Sequence, residues 1–259
     1  MTPAETRIAL QLYTVRERSA SDFLGTLRAV ADVGYRAVEL AGYYDVPIDE
    51  LRTALDEYGL RAVASHVRLD AWTENAEQAI ADLQTLGCEY AVVPWLPPEM
   101  RGNAALTRDL ATSFNTWGAL ARDAGLGFAY HNHDFEFAQM NGGTMMDVLT
   151  TETDPALVGL ELDVYWAQFA GYDAVDLLHK YDGRVPLLHV KEMGSGPDRA
   201  DAPFGEGIIA WEPIFAAADA AGTRWYIVEQ DTPQDALADI AVSLRHLEKV
   251  LNGGPVDDR

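Results

Sequence analysis

The chain has 259 residues, 48% of them hydrophobic and evenly spread, which suits one large α/β domain. With 41 acidic and 19 basic residues its formal net charge is -22, which repels phosphate backbones and argues against a nucleic-acid partner. The single cysteine excludes an internal disulfide, and no apolar run reaches the roughly 18 residues of a membrane span, so we expect a cytoplasmic protein without a membrane partner.

Strand and helix patterns alternate eight times along the chain. Short apolar runs at nearly regular spacing predict strands. They cover residues 8–13, 37–40, 62–67, 90–95, 127–133, 158–164, 185–191 and 225–229. Amphipathic stretches between them predict helices. These include residues 21–33, 48–58, 73–86, 104–124, 173–181 and 233–251.

Five helix patterns run into glycine shortly before the next strand, as in ADVGYRAVEL and DEYGLRAVAS. Glycine there ends a helix in the left-handed conformation. Repeated βα units with apolar strands predict a parallel sheet, and eight units predict a closed (β/α)8 TIM barrel over residues 1–251. No GxGxxG follows the first strand, which argues against a dinucleotide-binding fold. The polar residues 252–259 predict a flexible tail.

Ionisable residues stand at the ends of these predicted strands. A buried strand has no packing reason to end on such a group, because burying an unpaired charge is costly. In a parallel barrel the ends meet at one mouth. The residues are Glu39, His66, His131, His133, Asp163, His189, Lys191 and Glu229. Carboxylates and imidazoles without a thiolate suit one divalent ion, Mn²⁺, Mg²⁺, Co²⁺ or Zn²⁺, with open positions for substrate oxygens.

The segments AVEL, SH, YHNHDFEF, ELDVYW, LLHVKEM, FGEGIIAW and IVEQD, in this order, resemble the xylose-isomerase-like sugar phosphate isomerase/epimerase superfamily of TIM barrels. The resemblance covers nearly the whole chain. It implies one metal ion held at the ends of strands five to eight, usually by Glu, Asp, His and Glu. Asp163, His189 and Glu229 match the last three ligands, whereas His131 stands in the first place. His133 shares a strand face with His131 and is the alternative ligand.

The resemblance implies metal-stabilised enolate chemistry, and we expect an isomerase or epimerase acting on a keto-sugar or cyclitol. The alternative is a lyase or dehydratase that eliminates water or an aglycone from a 3-keto-glycoside or inosose. The histidine at position 131 favours this alternative, because the family epimerases use two metal-bound glutamates. Glu229 is the candidate base, with His66 or Lys191 as proton donor, and Glu39 would orient His66 or a sugar hydroxyl. Neutralising the acidic cluster is the other role open to Lys191.

Other polar and aromatic side chains near the same mouth are candidate substrate contacts, since sugar rings stack on aromatic faces. They are Tyr13, Trp95, His133, Glu136 and Trp166. Glu161, two residues before Asp163, is expected to be a buried partner for a basic group such as Lys191. The resemblance also allows a homo-oligomer, although the sequence does not indicate which surface would form it.

Overall fold

Eight parallel strands close into a barrel in the computed structural model, which describes residues 7–140 and 143–254. The strands, β1–β8 in chain order, are Ile8–Gln11, Ala37–Leu40, Arg61–His66, Tyr90–Val93, Gly127–His131, Gly159–Asp163, Leu187–Val190 and Trp225–Val228. Each strand pairs with its neighbours in chain order, and β8 closes the ring by pairing with β1. The predicted (β/α)8 TIM barrel in a single domain is therefore confirmed.

The barrel interior has an apolar lower layer and a polar upper layer. Leu187, Trp225 and Ile227 belong to a buried apolar cluster that is separate from the larger core between strands and helices. Residues two apart on a strand share a face, so the side chains that follow in this alternation also face inward. On β7 that next residue is His189, and beyond β8 it is Glu229. The two-residue alternation along each strand thus places ionisable side chains at the upper mouth of the barrel.

Helices surround the barrel and bury their apolar faces against the outer side of the strands. They are α1 to α10: Arg16–Ser21, Phe23–Val33, Ile48–Tyr58, Leu69–Leu86, Ala104–Asp123, Met145–Glu152, Val164–Phe169, Ala174–Lys180, Trp211–Ala220 and Ala236–Leu251. Asn103 caps α5, and Thr144 with Asp147 forms a capping box at α6. The predicted glycine joints are confirmed: Gly59 and Gly87, for example, have φ of 66° and 75°.

Several strands end earlier than the sequence predicts. β1 ends at Gln11, two residues before the predicted end, because Leu12–Val15 forms a 3-10 helix in which Tyr13 N donates to the Gln11 side chain at 3.0 Å. β4 ends at Val93, since the next residue, Pro94, has no N–H to donate to a neighbouring strand. The loops after these strands therefore begin one or two residues earlier in the chain than predicted.

The helix pattern also differs in places. The predicted helix over 21–33 begins at Phe23, because Asp22 has extended φ/ψ of -157° and 88° and caps α2 by accepting from Gly25 N. The predicted helix over 73–86 begins at Leu69 and kinks at Asn75. Four helices were not predicted: α1, α6, α7 and α9. α1 and α7 have 6 residues each, too few for a helical period to show.

The loops after β7 and β8 are tied together beside the mouth. The loop after β7 contains an antiparallel pair, Glu192–Met193 with Asp201–Ala202. The Asp201 carboxylate accepts from Thr232 N at 3.0 Å and also from Asp231 N. These contacts hold the strand-eight loop against the strand-seven loop.

The last helix ends at Leu251. The domain boundary at that residue remains a prediction, because residues 255–259 of the predicted tail lie outside the described residues. Within residues 7–140 and 143–254, no helix is long and apolar enough to cross a membrane.

Candidate metal and catalytic site

The strand ends bring the predicted ionisable residues together at one mouth of the barrel. A cavity of about 640 Å³ opens there. Among the side chains in its wall are Tyr13, Arg16, His66, Arg68, Trp95, His131, His133, Lys191, Glu229 and Asp231. Glu39, Asp163 and His189 are fully buried. The cavity therefore has a polar wall next to a set of buried carboxylates and imidazoles.

The four predicted metal ligands form one compact set of donors. His131, Asp163, His189 and Glu229, here called the donor group, each offer a ligand atom within 4.8 Å of the others. Asp163 Oδ1 accepts from Trp166 N at 2.8 Å, whereas Oδ2 is buried and finds no hydrogen-bond partner among the described residues. A buried carboxylate oxygen without a donor is costly, and a cation would satisfy it. Mixed imidazole and carboxylate donors suit a divalent ion.

His189 lies between two pairs of carboxylates. Its Nδ1 is 3.0 Å from Glu229 Oε2 and 3.9 Å from Asp163 Oδ2, both in the donor group. Its Nε2 is 2.9 Å from Glu39 Oε2 and 3.1 Å from Glu161 Oε2. In metal sites a ligand histidine commonly gives its other N–H to a carboxylate, which fixes the ring and its tautomer. His189 has that arrangement, with Nδ1 facing the donor group.

The carboxylates of the site differ in protonation. Burial raises the pKa of Asp163 to about 7. Burial, together with the Glu161 charge, raises the pKa of Glu39 to about 7. For Glu229 the effect of burial is outweighed by Lys191 and His189, which hold its pKa well below the usual range. Glu229 is therefore ionised at neutral pH, as a general base must be.

The carboxylates near both candidate proton donors raise the pKa of each. Burial would lower the pKa of Lys191, but the nearby carboxylates, Glu229 first among them, raise it. Lys191 Nζ lies 3.5 Å from Glu229 Oε2 and hydrogen-bonds Asp231. Burial would also lower the pKa of His66, but the carboxylates of Glu39 and Glu161 raise it. Each residue thus carries a proton beside the cavity.

The two strand-five histidines are neutral. Burial lowers the pKa of His131 to about 4 and that of His133 well below its usual range. A neutral imidazole is the form that binds metal. Only His131 belongs to the donor group; the His133 ring, 5.0 Å from that of His131, lines the cavity and lies 5.5 Å from the Trp166 ring. The geometry therefore favours His131 as the strand-five ligand.

Aromatic and basic side chains stand at the rim. Tyr13 is 43% exposed and Trp95 46%, and both line the cavity. The Arg16 guanidinium lies 4.3 Å from the Tyr13 ring centroid, and Arg101 lies 4.8 Å from that of Trp95. Flat aromatic faces at the rim suit contact with a substrate ring, and this role of the two aromatic residues stays a prediction.

Two buried glutamates, Glu136 and Glu161, have contacts that the sequence did not identify. Glu136, a predicted substrate contact, is fully buried, where it accepts from the Tyr130 hydroxyl and from His133 N at 2.8 Å. It supports the loop after β5 and is not placed to touch a substrate in the cavity, contrary to the prediction. Glu161, expected to be a buried partner for a basic group such as Lys191, is buried and contacts the basic side chains of His66, His131 and His189. Its partners are therefore basic as predicted, but Lys191 is not one of them.

Sequence reasoning also missed Gln11 and Asp231. Gln11 Nε2 donates to Glu39 Oε2 at 2.8 Å, and Asp231 hydrogen-bonds Lys191. Both lie two residues from an inward-facing position, Gln11 after Ala9 and Asp231 after Glu229. The period of the predicted first strand already includes Gln11, and extending the period of the eighth strand past Glu229 would have pointed to Asp231.

A family model described as a xylose isomerase-like TIM barrel matches residues 27–250, most of the chain. The chain belongs to the xylose isomerase-like TIM barrel family. Within this family it resembles the inosose dehydratase of Geobacillus kaustophilus, with 26% identity over 79% of each chain. The inosose dehydratase of Clostridium beijerinckii is 25% identical over 78% of this chain and 80% of its own.

A solved structure shares the same barrel. The sugar phosphate isomerase/epimerase from Parabacteroides distasonis superposes with a TM-score of 0.80 and 25% identity, over 96% of this chain and 95% of its own. The suspected superfamily is thereby confirmed. The relatives carry the names of two reaction classes, a dehydratase and an isomerase/epimerase, that share one family fold.

Proposed function

We propose that this protein is a divalent-metal-dependent lyase that removes water from a cyclic keto-polyol of the inosose type. Similarity to two proteins named inosose dehydratase, over about four-fifths of the chain, supports this reading. The relatives support the lyase alternative better than the isomerase or epimerase expected first from the sequence. The donor group His131, Asp163, His189 and Glu229 would hold the ion.

The observation that carries the proposal is the placement of carboxylates around the cavity. Among the described residues in its wall, the carboxylates are Glu229 and Asp231, both from the end of β8 and the loop after it. Asp231 is bound to Lys191. An epimerase that moves a proton between two faces of a substrate needs a base on each face. Because both wall carboxylates come from the end of β8 and the loop after it, elimination using a single base fits this wall better.

Each residue has a definable part in that elimination. A divalent ion in the donor group would polarise a ketone oxygen and make the neighbouring C–H more acidic. Glu229 would accept the proton from that carbon. The electron pair of the broken C–H bond would form the new C=C bond as the hydroxyl leaves the next carbon. Lys191 or His66 would give the departing hydroxide a proton, so that water is released. Rate effects of roughly 10²–10⁴-fold are usual for such a donor.

Isomerisation of a keto-sugar remains a second candidate. The similarity to the Parabacteroides distasonis protein named sugar phosphate isomerase/epimerase supports it. It would use the same first proton transfer to Glu229, after which the proton returns to the neighbouring carbon and no group leaves.

Incubation in D₂O distinguishes the two reactions. Metal-free protein is mixed with an inosose, or with a panel of keto-sugars, with and without Mn²⁺, Co²⁺, Zn²⁺ or Mg²⁺. Products are then read by NMR and mass spectrometry. The lyase proposal expects metal-dependent loss of one water from the inosose. Deuterium in a rearranged sugar without loss of water would support the isomerase, and binding without any exchange would overturn both.

A further inference from the structure

One carboxylate oxygen faces three imidazoles beneath the cavity. Glu161 Oε2 lies 2.8 Å from His66 Nε2, 3.1 Å from His131 Nδ1 and 3.1 Å from His189 Nε2. Glu161 is fully buried, and its other oxygen, Oε1, has no hydrogen-bond partner in the part of the chain that the structure describes. The carboxylate therefore has acceptor capacity for more than one ring at a time.

We propose that Glu161 is the positioning residue of the metal site, holding the proton of His131 on Nδ1 so that Nε2 is free to bind the ion. The inference rests on the proposed metal site but not on which reaction the protein catalyses. It assigns to Glu161 an effect exerted through His131.

The chemistry of the two groups supports the assignment. An ionised carboxylate can only accept hydrogen bonds, and a neutral imidazole carries its proton on one nitrogen. The nitrogen of His131 that faces Glu161 is Nδ1, so that nitrogen is the one to carry the proton. The two atoms are 3.1 Å apart, close enough for a charge–dipole contact, but the orientation of the ring does not form a hydrogen bond, and Nδ1 has no other hydrogen-bond partner among the described residues. Free histidine in water prefers the opposite tautomer, so Glu161 must impose this one.

Strand register explains why this glutamate and this histidine meet. His131 on β5 is the register partner of Glu161 on β6, and both side chains are buried. The resemblance to the superfamily leads one to expect glutamate at the strand-five ligand position, where this chain has His131. Instead, the carboxylate of Glu161 lies on the neighbouring strand, next to His131. A carboxylate behind a ligand histidine raises its basicity and fixes its orientation.

Glu39 provides a matched control. It is as fully buried as Glu161 and also contacts His66 and His189, with Oε2 at 3.4 Å and 2.9 Å from their Nε2 atoms. It has no recorded contact with His131 within the described residues. Glu39→Gln therefore removes a buried carboxyl group from the same layer while leaving the His131 partner in place.

The experiment reads the tautomer directly. In full-length, metal-free protein labelled with ¹⁵N-histidine, long-range ¹H–¹⁵N NMR reports which ring nitrogen of His131 is protonated, with the signal assigned by a His131→Gln variant. The wild type and Glu39→Gln should carry the proton on Nδ1. In Glu161→Gln a population protonated on Nε2 should appear, because the new amide can donate as well as accept.

Zinc affinity gives a second readout. Competition titration should show Zn²⁺ binding about 10–100-fold weaker in Glu161→Gln than in wild type, with partial recovery in Glu161→Asp. A proton on Nε2 of His131 in the wild type would overturn the proposal, as would a folded Glu161→Gln protein with unchanged tautomer and zinc affinity. Because the tautomer is read in the wild type without substrate, the result stands even if a variant does not fold or the lyase proposal fails.

Discussion

Replacing Asp163 by Asn separates the metal-binding role of this side chain from its role in the fold. Asparagine is as good a helix cap as aspartate and can still accept from Trp166 N through its amide oxygen. It removes the charge at Oδ2, the oxygen left without a partner among the described residues. Burial raises the pKa of Asp163 to about 7, so in metal-free protein the folded state loses stability as pH rises from about 4 to 7. Without metal, Asp163→Asn should therefore match or exceed the wild-type stability at and above neutral pH.

With metal bound, the wild type should be the more stable of the two proteins. An ion present at 100 times its Kd stabilises the folded protein by about 2.7 kcal/mol. If loss of the carboxylate weakens binding 100-fold, the same ion concentration contributes only about 0.4 kcal/mol. The difference of about 2.3 kcal/mol corresponds to a Tm difference of roughly 5–9 °C for a domain of this size.

Thermal unfolding with EDTA, and again with Zn²⁺ or Mn²⁺, measures this difference. Asp173→Asn is the matched control, because exposed Asp173 caps α8 by accepting from Val175 N at 2.8 Å and lies outside the donor group. Its effect on Tm should be the same with and without metal. An equal metal-induced rise of Tm in wild type and Asp163→Asn would refute the assignment of Asp163 as a ligand.

Three further changes test other parts of the structure. Lys191→Gln should lower kcat by about 10²–10⁴-fold in initial-rate assays, and an unchanged kcat would exclude this lysine as proton donor. Trp95→Ala should raise KM by about 2–13-fold with little change in kcat, since an aromatic contact contributes about 0.5–1.5 kcal/mol; a large drop in kcat alone would contradict a binding role. For Asp147, burial is outweighed by hydrogen bonds from Lys180 and Thr144, which lower its pKa to about 2. The pKa of Asp147 in the folded protein lies below the ordinary value near 4. The ionised carboxylate therefore stabilises the folded state above pH 4, and this contribution is lost as pH falls through 2. Asp147→Asn should therefore lower the free energy of unfolding at pH 7 by roughly 0.5–1 kcal/mol, and chemical denaturation should show the two proteins converging near pH 2.

Local sequence predicted the barrel well because its signals are short-range. Strand runs, amphipathic helices and the glycine joints at Gly59 and Gly87 each depend on a few neighbouring residues. The same approach located Asp163, His189 and Glu229, because an ionisable residue at the end of a buried strand is conspicuous. It did not indicate α1 or α7, whose 6 residues complete fewer than two turns.

The partners of each buried charge depend on contacts between strands that are distant in the sequence. The sequence predicted Glu136 as a substrate contact, whereas the fold bonds it to Tyr130. It predicted a basic partner for Glu161 but did not indicate His131, the register partner of Glu161 on β5. By itself, the sequence determined the order of the eight strands and the ionisable residues that stand at or near their ends, since both follow from local pattern. Only the tertiary structure decided which carboxylate faces which imidazole, because closing the barrel brings together side chains as far apart as Glu39 and His189, 150 residues along the chain.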